Sequence, residues 1–159
     1  MRQHQYEIRV QWTGNDGKGT KSYRGYRRDH VITSGDKRQI DGSSDPSFHG
    51  DPGRYSPEEL LVASLSSCHM LWYLHLCSVN QVNVLSYEDT ASGIMREGDD
   101  GSGAFVGVRL KPTVKICAGS DRAKAIALHN EAHRFCFVAN SVNFPVEVAP
   151  EIQEVAVSP

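Results

Sequence analysis

The sequence has no surplus of charge of either sign: 17 lysines and arginines stand against 19 aspartates and glutamates, a formal net charge of -2. Without a basic excess there is no electrostatic footing for nucleic acid or an anionic membrane surface, and neither is expected as a partner. Internal repeats and low-complexity stretches are also missing. The expected organisation is therefore one domain over residues 1–159, a length that buries roughly two-thirds of the unfolded chain's surface. The opening residues, Met1 to Tyr6, lack the basic stretch, apolar run and small-residue cleavage site of a secretory leader, so a cytoplasmic location is expected. Cysteine is scarce, with four in the chain, and none form a Cys-x-x-Cys pair. In a reducing compartment such cysteines are read as catalytic, redox-sensing or metal-binding rather than as structural disulfides.

Hydrophobic periodicity gives the coarse architecture. Residues 6–12 alternate apolar and polar, the pattern of a strand with one buried face. The turn-rich Gly14-Asn15-Asp16-Gly17 then predicts a hairpin into a second strand over 20–30, with a third over 31–40. Residues 41–55, rich in Gly, Ser, Asp and Pro, read as a loop. At Ser56-Pro57-Glu58-Glu59 several helix-start signals coincide: a serine cap, proline at the first position, early acidic residues and a Ser-x-x-Glu capping box. The helix runs to about Val79 and is apolar on nearly every side, as in a helix buried in a core or between subunits; Ser64, Ser66, Ser67, His69 and His75 argue against a membrane span. Strands are expected over 82–87, 91–96, 104–117 and 144–148, and a second helix from after Ser120 to about Ala139. The fold class is α+β, two long helices packed against antiparallel sheets.

The cysteines are not equivalent. Cys77 lies nine residues after Cys68 on the same helix, about 13 Å along the axis, and cannot pair with it while the helix is intact. Cys77 and Cys117 are read as small buried hydrophobes. Cys136, placed on the inward face of the second helix, is the better partner for Cys68. A thiolate in mid-helix gains little from the helix dipole, so a cation must stabilise it. A metal site would draw on His129, His133 and Cys136 at i, i+4 and i+7, with His69 or Cys68 added. Histidines on a mixed helix face are usually solvated, however, and no metal is expected.

The run Tyr55-Ser56-Pro57-Glu58-Glu59-Leu60-Leu61-Val62-Ala63-Ser64-Leu65-Ser66-Ser67-Cys68 resembles the signature of the OsmC/Ohr peroxidases, in which Pro-Glu at a helix start precedes the peroxidatic cysteine. Ala132-His133-Arg134-Phe135-Cys136 resembles that family's segment with the resolving cysteine. The resemblance implies a peroxidatic Cys68, a resolving Cys136 and a Glu58 carboxylate that orients an arginine beside the thiolate. It also implies an intertwined homodimer that takes organic hydroperoxides as substrate, an external thiol or dithiol as reductant, and no cofactor. Ten residues, or about 15 Å of helix, separate Glu58 from Cys68, so Glu58 is expected to serve the other subunit's Cys68. The sequence departs from the family pattern at His49, where the arginine is expected, and at Phe137, where proline is common. Arg28 is assigned the arginine's role, with Arg54 as the alternative.

Overall fold

The alternating residues near the N-terminus form β1 (Arg9–Trp12), which pairs antiparallel with β2 (His30–Thr33), itself antiparallel to β3 (Ile40–Gly42). The computed structural model describes residues 2–156, and the chain divides into two compact units, Met1–Leu61 and Val62–Pro159. This three-stranded sheet belongs to the first.

The second strand is displaced from its expected range: of residues 20–30 only His30 lies in β2, which otherwise occupies the start of the range expected for the third. Residues 17–26 form turns, with the Gly25 N–H donating to the Ser22 carbonyl at 3.0 Å. Charged and polar side chains there offer no alternating face to hold a ladder. The third strand, Ile40–Gly42, meets its expected range of 31–40 only at Ile40 and runs into residues expected to be loop, because the chain turns at Ser34, whose carbonyl accepts from the Lys37 N–H at 3.2 Å. The buried face expected for β1 is not found: all four of its residues are exposed. Gly14 is a close-approach position, since a Cβ there would stand 1.8 Å from the Arg27 carbonyl oxygen.

Helix α1 (Pro57–Val79) begins as its sequence dictates. Ser56 Oγ accepts from the Glu59 N–H at 3.2 Å while Glu59 Oε2 accepts from the Ser56 N–H at 2.8 Å, a reciprocal capping box. The other end closes with a Schellman arrangement. Gln81 adopts a left-handed φ of 62°, the Val82 N–H donates to the Cys77 carbonyl at 2.9 Å and the Gln81 N–H to the Ser78 carbonyl at 3.3 Å. By length and composition α1 is apolar enough to cross a membrane. Its stripe of Leu65, His69, Tyr73 and Cys77, spaced four apart, is nevertheless buried within the second unit.

That unit carries two sheets, one ordered β4 (Val84–Asp89), β7 (Pro112–Cys117), β9 (Glu151–Val155), the other β5 (Ser92–Glu97), β6 (Gly103–Leu110), β8 (Val146–Val148). The expected single strand over 104–117 is two. Proline at 112 has no N–H for a ladder, and the Lys111 N–H turns aside to the Asp89 carboxylate at 2.7 Å. The sheets are not purely antiparallel, since β8 joins β6 and β9 joins β7 in parallel. Strand β9 was not anticipated from its short, charge-interrupted sequence.

Helix α2 (Arg122–Phe135) starts where predicted, with the Asp121 side chain accepting from the Lys124 N–H at 2.9 Å. It stops four residues before the expected Ala139, and Cys136 is its extended C-cap rather than a residue on its inward face. The core of the unit gathers Tyr73, Cys77, Val114, Ile116, Ala125, Leu128 and Ile152 in one cluster, and Leu65, Val108 and Leu110 in a second.

Candidate active site

Cys68 falls one residue before His69 on α1, at the edge of the buried stripe, and is half-buried. Cys136 follows α2 and is buried. The two thiols meet side chain to side chain, and both are free. Burial pushes the Cys136 thiol up to about 11, opposed by the Ala139 N–H that donates to its Sγ at 3.5 Å, with the Cys68 sulfur adding to the rise. Cys136 is thus held as a protonated thiol at neutral pH.

Aromatic rings brace the junction. Trp72 stacks on Phe135 with centroids 5.2 Å apart and meets Phe137 edge-on at 5.5 Å. Deeper in, the Tyr73 hydroxyl donates to the Ala125 carbonyl at 3.1 Å, tying α1 to α2. Phe137 is part of this ring cluster and is 68% exposed.

A buried histidine pair joins the same two helices. His69 Nε2 and His129 Nδ1 are 3.0 Å apart, and the His129 ring stacks on Tyr73 at 3.8 Å. Loss of water lowers His69 to about 4, reinforced by His133 and opposed by Asp89; burial lowers His129 to about 3, with His69 adding to the effect. The solvated state expected of α2's histidines is not found at His129, which like His69 is buried. Their burial was legible, because His69 sits on the Leu65, Tyr73, Cys77 spacing and His129 one turn beyond Ala125, both core faces. Among the described residues, no group of three or more His, Cys, Asp or Glu side chains is arranged to hold a metal ion.

The other candidates lie in the first unit. Glu58 stands in the first turn of α1, and its Oε2 is buried without a hydrogen-bond partner among the described residues. Arg28 donates from both terminal nitrogens, to the carbonyls of Tyr26 and Tyr23 at 2.6 Å each, and its guanidinium lies 4.1 Å from the Tyr26 ring centroid. Arg54 faces the carboxylates of Asp29, Asp41 and Asp51 at 3.6 to 3.9 Å. Its Nη1 is buried and makes no hydrogen bond. The structure thus brings together the two cysteines and places each arginine among partners of its own unit.

Comparison with known proteins gives a consistent picture. The model of the OsmC-like protein family matches residues 49–151. An OsmC-like protein of unknown function from Vibrio cholerae is 31% identical, with a TM-score of 0.82 over 95% of this chain and 100% of that one. An organic hydroperoxide resistance protein from Legionella pneumophila shares the fold at 17% identity, with a TM-score of 0.69 over 96% and 99% of the two chains. The organic hydroperoxide resistance protein OhrB of Bacillus subtilis does so at 19% identity, with a TM-score of 0.60 over 94% and 98%. No curated protein matches.

Proposed function

The chain belongs to the OsmC-like family, and from that premise we propose that it is a thiol-dependent peroxidase reducing organic hydroperoxides to alcohols. The observation that carries this reading is the contact of the free Cys68 and Cys136 thiols, one half-exposed and one buried. The Cys68 thiolate attacks the distal peroxide oxygen, the O–O bond breaks, and the alkoxide leaves as the alcohol after gaining a proton. Cys136 then condenses with the Cys68 sulfenic acid, releasing water and forming the disulfide, which an external thiol or dithiol reduces by exchange. No metal or organic cofactor enters this cycle.

A buried carboxylate oxygen without a partner is costly, so the Glu58 Oε2 supports a role in receiving a guanidinium. Arg28 is proposed to supply it, with Arg54, whose buried Nη1 is also unbonded, as the alternative. The working unit is proposed to be a homodimer in the cytoplasm. Its support is the exposed apolar surface of α1 at Leu71 and Val79, and of the first sheet at Val10, Trp12 and Ile40.

The test is the intact mass and disulfide map of reduced protein after one equivalent of an organic hydroperoxide. A loss of about two mass units with a Cys68–Cys136 link, absent from Cys68→Ser and Cys136→Ser, is expected. If Cys68 stays reduced, the reading fails. A second reading, a sensor of the same fold that oxidises once, is favoured by the engagement of Arg28 and Arg54 within their own unit. Sustained turnover with a dithiol excludes it, and Arg28→Gln beside Arg54→Gln identifies the activating cation by the slower oxidation of Cys68.

A further inference from the structure

The first unit holds a cleft of about 310 Å³ that Arg28 and Pro57 both line. Arg28 is the proposed activating cation, and Pro57 precedes Glu58 at the start of α1. Most hydrogen-bonding atoms around the cleft are already engaged. The Trp12 indole N–H donates to the Arg27 carbonyl at 2.8 Å. Ser43 Oγ donates to the Asp29 carboxylate at 3.3 Å and accepts from the Asp51 N–H at 3.0 Å, while Ser44 Oγ donates to the Phe48 carbonyl at 3.1 Å. His30 Nδ1 lies 3.0 Å from the Arg28 carbonyl oxygen, and both terminal nitrogens of Arg28 are spent on the carbonyls of Tyr26 and Tyr23. What the cleft offers a ligand is therefore chiefly ring carbon. The Trp12 and Tyr26 rings meet edge to face, with centroids 5.8 Å apart and planes at 89°. The His30 ring lies against Gly42, where a Cβ would stand 2.3 Å from its Nε2, so only glycine at 42 lets that ring take its place in the lining. Tyr26 also carries the Arg28 guanidinium 4.1 Å from its centroid, which puts the cation at the edge of an aromatic wall.

We infer that this cleft holds the organic group of the substrate, and that Trp12 and Tyr26 select hydroperoxides in which that group is an aryl ring on a short branched carbon. Three features of the cleft carry the choice. An aryl group seated against two rings gains edge-to-face and offset-stacked contacts that an alkyl chain of the same size lacks. The volume lies at the small end of the range for ligand clefts, roughly 300 to 1,000 Å³, which accommodates one ring and leaves a long chain running out into water. A flexible chain also loses more rotamer freedom on binding than a rigid ring does. With the serine hydroxyls and the indole N–H engaged elsewhere, a polar organic group would give up its water for few new hydrogen bonds. Trp12 and Tyr26 are thus specificity-determining residues, Trp12 through its ring alone and Tyr26 through its ring and its hold on Arg28.

This inference rests on the peroxidase reading and on Arg28 as its cation, and it is tested by comparing two substrates. In the unaltered protein and in Trp12→Leu, kcat/KM is measured for cumene hydroperoxide and for the linear alkyl hydroperoxide of equal carbon number. Trp12→Leu keeps an apolar side chain and removes the ring. The unaltered protein is expected to favour the aryl substrate about 10-fold, and Trp12→Leu to lose most of that preference while keeping its rate with the linear one. A general loss of structure would slow both substrates alike. Equal rates in the unaltered protein, or a preference that survives Trp12→Leu, overturn the inference and leave the peroxidase reading intact, whereas no turnover of either hydroperoxide overturns both. Should Trp12→Leu not fold, the unaltered protein decides by its binding of cumyl alcohol, the product of the aryl substrate. The alcohol is expected to shift the Trp12 indole N–H resonance, and an unmoved resonance at saturating alcohol overturns the inference.

Discussion

The two units of this chain are held by opposite means. In the first, the buried side chains among the described residues are polar: Asp29, Ser43 and Ser56. Asp29 gathers Arg27 at 2.8 Å, the Ser43 hydroxyl at 3.3 Å and Arg54 at 3.9 Å, while Tyr6, Ile8, Val10 and Tyr55 are all more than half exposed. In the second, the buried set is mostly apolar, running from Leu65 to Ile152. Hydrogen bonds exchanged against water give little net stability, whereas each well-buried apolar side chain contributes about 1.5 to 3 kcal/mol. The second unit therefore has an apolar core of its own, whereas the first leaves apolar side chains exposed. That asymmetry supports the proposed homodimer.

The comparison can be broken at its strongest point first. Leu65 is fully buried in the second unit, and Leu65→Ala is expected to cost about 2 to 5 kcal/mol in urea unfolding. A cost below about 1 kcal/mol would show that this core carries less than its burial implies.

Next is the face of the first sheet. The register sets Val10 opposite Ile32 and Ile32 opposite Ile40, so the three share one face. Placing lysines there, Val10→Lys with Ile40→Lys, is expected to weaken self-association on the order of 100-fold by sedimentation, equivalent to about 2.7 kcal/mol. Unchanged association would move the subunit contact elsewhere.

Acid probes the second unit through its histidines. Burial holds His69 near 4 and His129 near 3, against an ordinary 6.5. The unfolded chain binds protons that the folded one refuses. The stability gained by keeping the pair neutral is complete above about pH 6.5 and is lost as pH falls from there toward the folded values, by up to about 1.4 kcal/mol per pH unit for each ring. Urea midpoints at pH 7.5 and 5 read this, and His69→Leu with His129→Leu should flatten the slope.

The smallest effect is local. Gln81 holds a left-handed φ of 62°, which costs an L-residue roughly 1 kcal/mol. Gln81→Gly is expected to raise stability by up to that amount, read as a shift in thermal midpoint.

Local chemistry was plain in the sequence. Ser56 and Glu59 announce the start of α1 because the capping box is a contact between neighbours, and the Asp121 cap of α2 is equally local. Cys68 and Cys136 stood out as a pair by motif, although Cys136 caps α2 instead of lying on its inward face. The end of α2 did not, since Phe135, Cys136 and Phe137 continue an apolar pattern whose break is made by packing on Trp72.

The sequence by itself determined the elements whose causes lie within a turn or two of chain: the starts of the two helices. Only the tertiary structure decided the parallel joining of β8 and β9, the contact of Cys68 with Cys136, and the bond between His69 and His129, 60 residues apart. Such long-range pairings follow from which apolar surfaces exclude water together, and that is a property of the whole chain rather than of any segment.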